Sequence, residues 1–169
     1  MNSDQQPLWT PSSERVAGAV ITDFMKEVSR REGIEIRDYA GLYRWSIDRP
    51  EAFWATLWDY CGVVAETRGA RILADGDRMP GARFFPDARL NFAENLLRRR
   101  DGGTAIVFRG ETKVERRLTW AELHDAVSRM AGALKSLGVG PGDRVAGLMP
   151  NMPETVVAML AATSLGAVW

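Results

Sequence analysis

LTWAELHDAVSRMAGALKSLGVGPGDRVAGLMPNMPETVVAMLAATSLGAVW, residues 118–169, carries most of what this chain says about its architecture. Thr119-Trp120-Ala121-Glu122 has the spacing of a capping box, in which a hydroxyl caps the third backbone N–H of a helix and an acid reaches back to the cap. Leu123, Val127, Met130, Ala131, Leu134 and Leu137 then recur on one helical face, and Gly138 offers a stop. Beyond the turn signal Gly140-Pro141-Gly142-Asp143, the apolar run from Val145 to Met149 is too short for a helix and predicts a buried strand. Asn151-Met152-Pro153-Glu154 predicts the start of a helix that is apolar nearly all round, and Gly166-Ala167-Val168-Trp169 the entry to another strand. Helix, strand, helix, strand is the order of a layered α/β domain with a parallel sheet. An open sheet of that kind needs several such units to cover both faces, and about one is present. The expected fold is therefore α/β and incomplete, as in part of a longer polypeptide.

Upstream of this stretch the pattern changes. Thr10-Pro11-Ser12-Ser13-Glu14 opens a helix, and Val16, Val20, Ile21, Phe24, Met25 and Val28 give it one apolar face over about five turns, up to Gly33. Tyr39, Leu42, Tyr43 and Trp45 predict a second helix, and Phe53, Trp54, Leu57, Trp58 and Tyr60 a third. Asp48 and Glu51 are placed for a capping box around Pro50. Helical spacing reads this aromatic stripe as core rather than as a ligand-stacking surface. Residues 62–86 are mostly loop, with a short strand near Arg71 to Ala74. Asn91 and Glu94 suit a capping box before Phe92–Leu97, and Ala105–Phe108 and Val114–Leu118 flank a hairpin turn at Arg109–Thr112.

Composition excludes several classes. Twenty-two basic residues balance 22 acidic ones, so no net field favours nucleic acid or anionic lipid. One cysteine permits no internal disulfide, and one histidine leaves little for a metal site. Met1–Gln6 has no secretory-signal character, no apolar run reaches the roughly 18 residues of a membrane span, and the cytosol is the expected compartment.

The candidate sites are few. Gly138–Gly142 resembles a phosphate loop in composition, but it lies between helix and strand, whereas phosphate loops run from strand to helix so that a helix N-terminus faces the anion. His124 and Asp125 are sequence neighbours on a helix and point about 100° apart. Cys61 reads as small apolar filler, and Arg98-Arg99-Arg100 as a cationic helix end. Asn151–Glu154 sits at the carboxyl edge of the expected sheet, where open α/β folds bind ligands; it reads either as a helix cap or as the wall of a substrate or nucleotide cleft. No catalytic, cofactor-binding or metal-ligating residue is assigned.

Several blocks in order carry a family resemblance: Leu118–Leu123, Ala133–Ala146, Met149–Glu154 and Leu165–Val168. Together they resemble the adenylate-forming enzymes, which include acyl-CoA synthetases, luciferases and peptide-synthetase adenylation domains. Pro7-Leu8-Trp9, Phe53-Trp54 and Arg89–Leu97 resemble the N-terminal extension of the short-chain acyl-CoA synthetases, and the run Leu90–Leu97 is closer to the form found among acetoacetyl-CoA synthetases than to that of acetyl-CoA synthetases. The resemblance implies an extension over residues 1–100, mainly helical, followed by the start of an AMP-binding α/β domain over 101–169. It implies ATP, Mg²⁺ and coenzyme A for the longer parent, with a small carboxylate as co-substrate and the remainder of the enzyme domain as partner. The family's catalytic residues align beyond Trp169, so none is carried over and the chain alone is expected to be inactive. An acetyl- or propionyl-CoA synthetase portion, and a non-catalytic interaction module, are the alternatives.

Overall fold

The structure, a computed structural model, describes residues 7–111 and 114–169. Residues 1–6, read above as carrying no signal, and Thr112 and Lys113, at and beside the expected hairpin turn, lie outside the described residues. Two compact units result. The first takes the described part of Met1–Val63 together with Gly69–Pro86, and the second Val64–Arg68 with Asp87–Trp169.

The first unit is helical. The single five-turn helix expected there is instead two, α1 (Ser13–Ala17) and α2 (Val20–Glu32), separated at Gly18-Ala19. A helix-interior glycine costs about 1 kcal/mol relative to alanine, and α1 buries no side chain that would offset this. The Thr22 hydroxyl stitches the break by donating to the Val16 carbonyl at 2.6 Å. Gly33 does end α2, in the left-handed conformation with φ 67°. Next come α3 (Tyr39–Asp48) and α4 (Pro50–Tyr60), joined by Arg49 alone. The expected Asp48/Glu51 capping box is absent because Asp48 is still helical; Arg49 occupies the cap position without a side-chain bond, and Pro50 starts α4.

Phe24, Val28, Leu42 and Trp45 form this unit's core. Edge-to-face contacts of Phe24 with Phe53 and Tyr60, and of Trp45 with Phe53, make the aromatic stripe a packing device, while Tyr39 and Tyr43 stack on the surface. The loop region adds a two-residue pairing of β1 (Leu73–Ala74) with β2 (Arg83–Phe84), so one strand more than expected. Phe84 and Phe85 lay this ribbon against Trp54 and Trp58 of α4, with ring centroids 5.1 and 4.5 Å apart.

In the second unit α5 (Phe92–Leu96) is capped by the Asn91 side-chain Oδ1, which accepts from Glu94 N–H at 3.1 Å; the Glu94 carboxylate does not reach back to the cap, so only half of the expected capping box forms. Although the sequence groups this helix with the extension, it packs on α7 below. The antiparallel hairpin β3 (Thr104–Arg109) and β4 (Glu115–Thr119) follows, with Val107 opposite Arg117 and a register irregularity between Thr104 and Ile106. Then comes α6 (Trp120–Ser136), whose Thr119/Glu122 capping box is complete in both directions. Its end is a Schellman motif: Val139 N–H donates to Leu134 and Gly138 N–H to Lys135, each at 3.0 Å. Leu137, expected on the inner face, is therefore exposed, because the helix stops before it and Val139 packs on the core instead.

The last helix is α7 (Pro153–Ser164). It buries Leu160, Ala161 and Ala162 against Leu123, Val127 and Leu134 of α6, the small alanines permitting close approach. Asn91 joins α5 to the far end of α7: its amide donates to the carbonyls of Thr163 at 3.0 Å and Ser164 at 3.3 Å. Asn95 binds the incoming chain, exchanging two bonds with the Val64 backbone at 2.8 and 2.9 Å.

Candidate functional site

The expected strand from Val145 to Met149 is reduced to one isolated parallel bridge, Arg144 to Val168. Only Ala167–Trp169 runs beside it, so only the start of the run finds partners: Val168 N–H donates to Asp143 at 2.7 Å and Val145 N–H to Val168 at 2.9 Å. The direction is nevertheless parallel, so the carboxyl ends of the two segments lie on the same side. The turn before it is structural. Gly140 N–H donates to the Asp143 carboxylate at 2.8 Å and Gly142 N–H to the Gly166 carbonyl at 3.1 Å, between helix and extended chain.

At the carboxyl end the chain passes through Met149–Met152 into α7. The capping reading of Asn151 is not realised: Met152 is the cap residue, makes no side-chain cap bond, and Asn151 is exposed. Other bonds hold the corner. Thr155 N–H reaches the Met152 carbonyl at 3.0 Å, and the Thr155 hydroxyl donates to the Pro150 carbonyl at 2.7 Å. Glu154, in the first turn where the helix dipole favours an acid, receives both terminal nitrogens of Arg116 from β4, Nη1 to Oε1 and Nη2 to Oε2, each at 2.6 Å. This hydrogen-bonded fork is the leading cause that holds the Glu154 carboxyl below its ordinary range and pushes the Arg116 guanidinium up. Sequence reasoning named Glu154 but missed Arg116, which is 38 positions away; its only signal was a charged residue within a hairpin strand.

The remaining candidates stay apart. His124 Nδ1 lies 3.9 Å from Asp125, whose side chain is 71% exposed, and no hydrogen bond joins them. Cys61, expected as filler, is exposed because it caps α4 rather than facing the core. Of the three arginines, Arg98 donates to the Asn95 carbonyl at the end of α5, and Arg99 makes a two-bond fork to Asp101 over the Trp120 ring. Among the described residues no three His, Cys, Asp or Glu converge in a way that would hold a metal ion. None of their helices is long and apolar enough to cross a membrane.

Residues 92–169 match the family model described as AMP-binding enzyme, and residues 39–96 match that of the acetyl-coenzyme A synthetase N-terminus. The chain is homologous to the N-terminal part of an adenylate-forming acyl-CoA synthetase. Within that class it is similar to acetoacetyl-CoA synthetases. It is 50% identical to the one from Rhizobium meliloti (strain 1021) over 165 residues, which are 98% of this chain and 25% of the relative. It is 36% identical to that of Xenopus tropicalis, over 96% of this chain and 24% of the relative. The solved acetoacetyl-CoA synthetase from Streptomyces lividans superposes with a TM-score of 0.87 at 43% identity, covering 98% of this chain and 26% of that one. The chain thus spans about a quarter of the length of the curated relatives it matches.

Proposed function

We propose that residues 1–169 form the N-terminal portion of an ATP-dependent acetoacetate–CoA ligase. In that reaction the carboxylate displaces pyrophosphate from ATP to give an acyl-adenylate, and the coenzyme A thiol then displaces AMP. The observation that carries this reading is 50% identity maintained over 98% of the chain to a protein of that name. The glycine-rich turn lies between a helix end and extended chain and so offers no helix N-terminus to a phosphate, and no ATP or Mg²⁺ ligand is assigned among the described residues. No chemical step is assigned to them. Their part is the helical extension, the first helix pair of the AMP-binding domain, and one wall of the cleft at Asn151–Glu154.

The partner under this reading is the remainder of the enzyme domain, and the cytosol its compartment. Leu148, Met149, Val168 and Trp169 all leave apolar surface open along the extended run, the kind of edge that further strands and helices cover. The experiment is ATP–pyrophosphate exchange, run on residues 1–169 and on the longer ligase that contains them. The longer protein should exchange with acetoacetate in preference to acetate or propionate, and residues 1–169 alone should show none. A preference for acetate would overturn the choice of acid, and exchange by residues 1–169 alone would overturn the division of labour.

A further inference from the structure

The loop between the extended run and α7 is pinned at both ends. Thr155 holds the Pro150 carbonyl, and Arg116 holds Glu154. Asn151 lies between them with an exposed amide that makes no bond within the described residues, while Met152 is half-buried. Arg116 is itself held from several sides. Its guanidinium lies 5.7 Å from the centroid of Phe108 on the paired strand, and both terminal nitrogens bond to Glu154, while its Nε is buried without a hydrogen-bond partner. A bidentate fork fixes direction as well as distance, which a lysine at the same place would not do. The hairpin is thereby coupled to a corner that its own strands do not reach by backbone pairing.

We propose that Arg116 is a positioning residue for ligand binding: acting through Glu154, it sets the attitude of Pro150–Met152 at the carboxyl end of the Val145–Met149 run. This rests on the reading of that loop as a cleft wall, where open α/β folds bind their ligands. The ligands concerned are the three substrates of the proposed ligase. Arg116 does not touch them.

Two readouts test the idea. In the longer ligase, R116K should raise the KM for at least one of ATP, acetoacetate and coenzyme A about tenfold, the scale set by losing one charged hydrogen bond, with a smaller change in kcat. E154Q should act in the same direction, and the double variant should be no worse than the more affected single one. N91S, which loosens α7 at its other end, serves as the control for general destabilisation and should leave all three KM values unchanged. A lower Tm in R116K with unchanged KM values would overturn the proposal. The second readout needs no activity: in residues 1–169, amide exchange at Thr155, Val156 and Val157 should be about tenfold faster in R116Q than in the unmodified chain, with α6 amides unchanged. Equal exchange would overturn the positioning role. Failure of the ligase to react with acetoacetate would refute the proposed function alone, leaving the exchange result to decide this inference.

Discussion

Replacing Asn91 tests whether one side chain ties α5 to the far end of α7. Its carbonyl oxygen caps α5, and its amide donates to two carbonyls at the end of α7. Losing an N-cap costs about 1 kcal/mol, and a neutral hydrogen bond contributes about 0.5–1.5 kcal/mol. The 3.3 Å bond to Ser164 is the weaker of the pair, so Asn91→Ala should cost about 2–3 kcal/mol. Asn91→Ser keeps a good cap and loses only the donor, so it should cost about 1 kcal/mol. The assay is urea unfolding followed by far-UV circular dichroism, with the midpoint shift converted at constant slope. A cost below about 0.5 kcal/mol for Asn91→Ala, or equal costs for the two variants, would refute the division into cap and tie.

Other expectations follow from single positions. Leu160 is 2% exposed between α6 and α7, so Leu160→Ala should cost about 2–5 kcal/mol in the same assay through lost transfer energy and a residual cavity. Gly138 and Gly132 both have open space where a Cβ would sit, but only Gly138 has positive φ, at 87°; Gly138→Ala should destabilise by about 1–2 kcal/mol, and Gly132→Ala, inside α6, should stabilise by about 0.5–1 kcal/mol. Glu27 is held down to about 2 from 4.5, first by the hydrogen bond from Arg30 and then by that from Arg31. A depressed carboxylate contributes its stability above its unfolded value, so this contribution should be complete above pH 4.5 and lost as pH falls towards 2, with Glu27→Gln abolishing that part of the acid dependence. An NMR titration midpoint for Glu27 near its ordinary value would refute the pairing.

The elements that were legible in advance are those whose causes lie close together in the chain. The Thr119/Glu122 box, the Gly33 and Gly138 stops, the hairpin and the Asn91 cap each depend on groups within a few residues of one another. Local caps failed at Asp48/Glu51 and at Asn151, where neighbouring residues took the cap positions, and the other predictions that failed needed information from outside the segment. Val16 to Val28 has continuous helical spacing, yet α1 finds nothing to bury against and the helix breaks at Gly18. Leu137 continues the apolar period, but the Schellman turn substitutes Val139. Val145–Met149 is apolar enough for a strand, yet a strand exists only by pairing, and its neighbour runs beside it for very few residues.

The sequence alone determined most of the helices, the Thr119/Glu122 box, the Gly33 and Gly138 stops and the family resemblance, because periodicity, capping chemistry and ordered motif blocks are properties of neighbouring residues. Tertiary structure alone decided that Asn91 ties α5 to α7 and that Arg116, rather than a helix cap, holds the corner at Glu154. Those bonds join residues 72 and 38 positions apart, and no local pattern specifies which polar groups the packed helices will bring within 3 Å of each other.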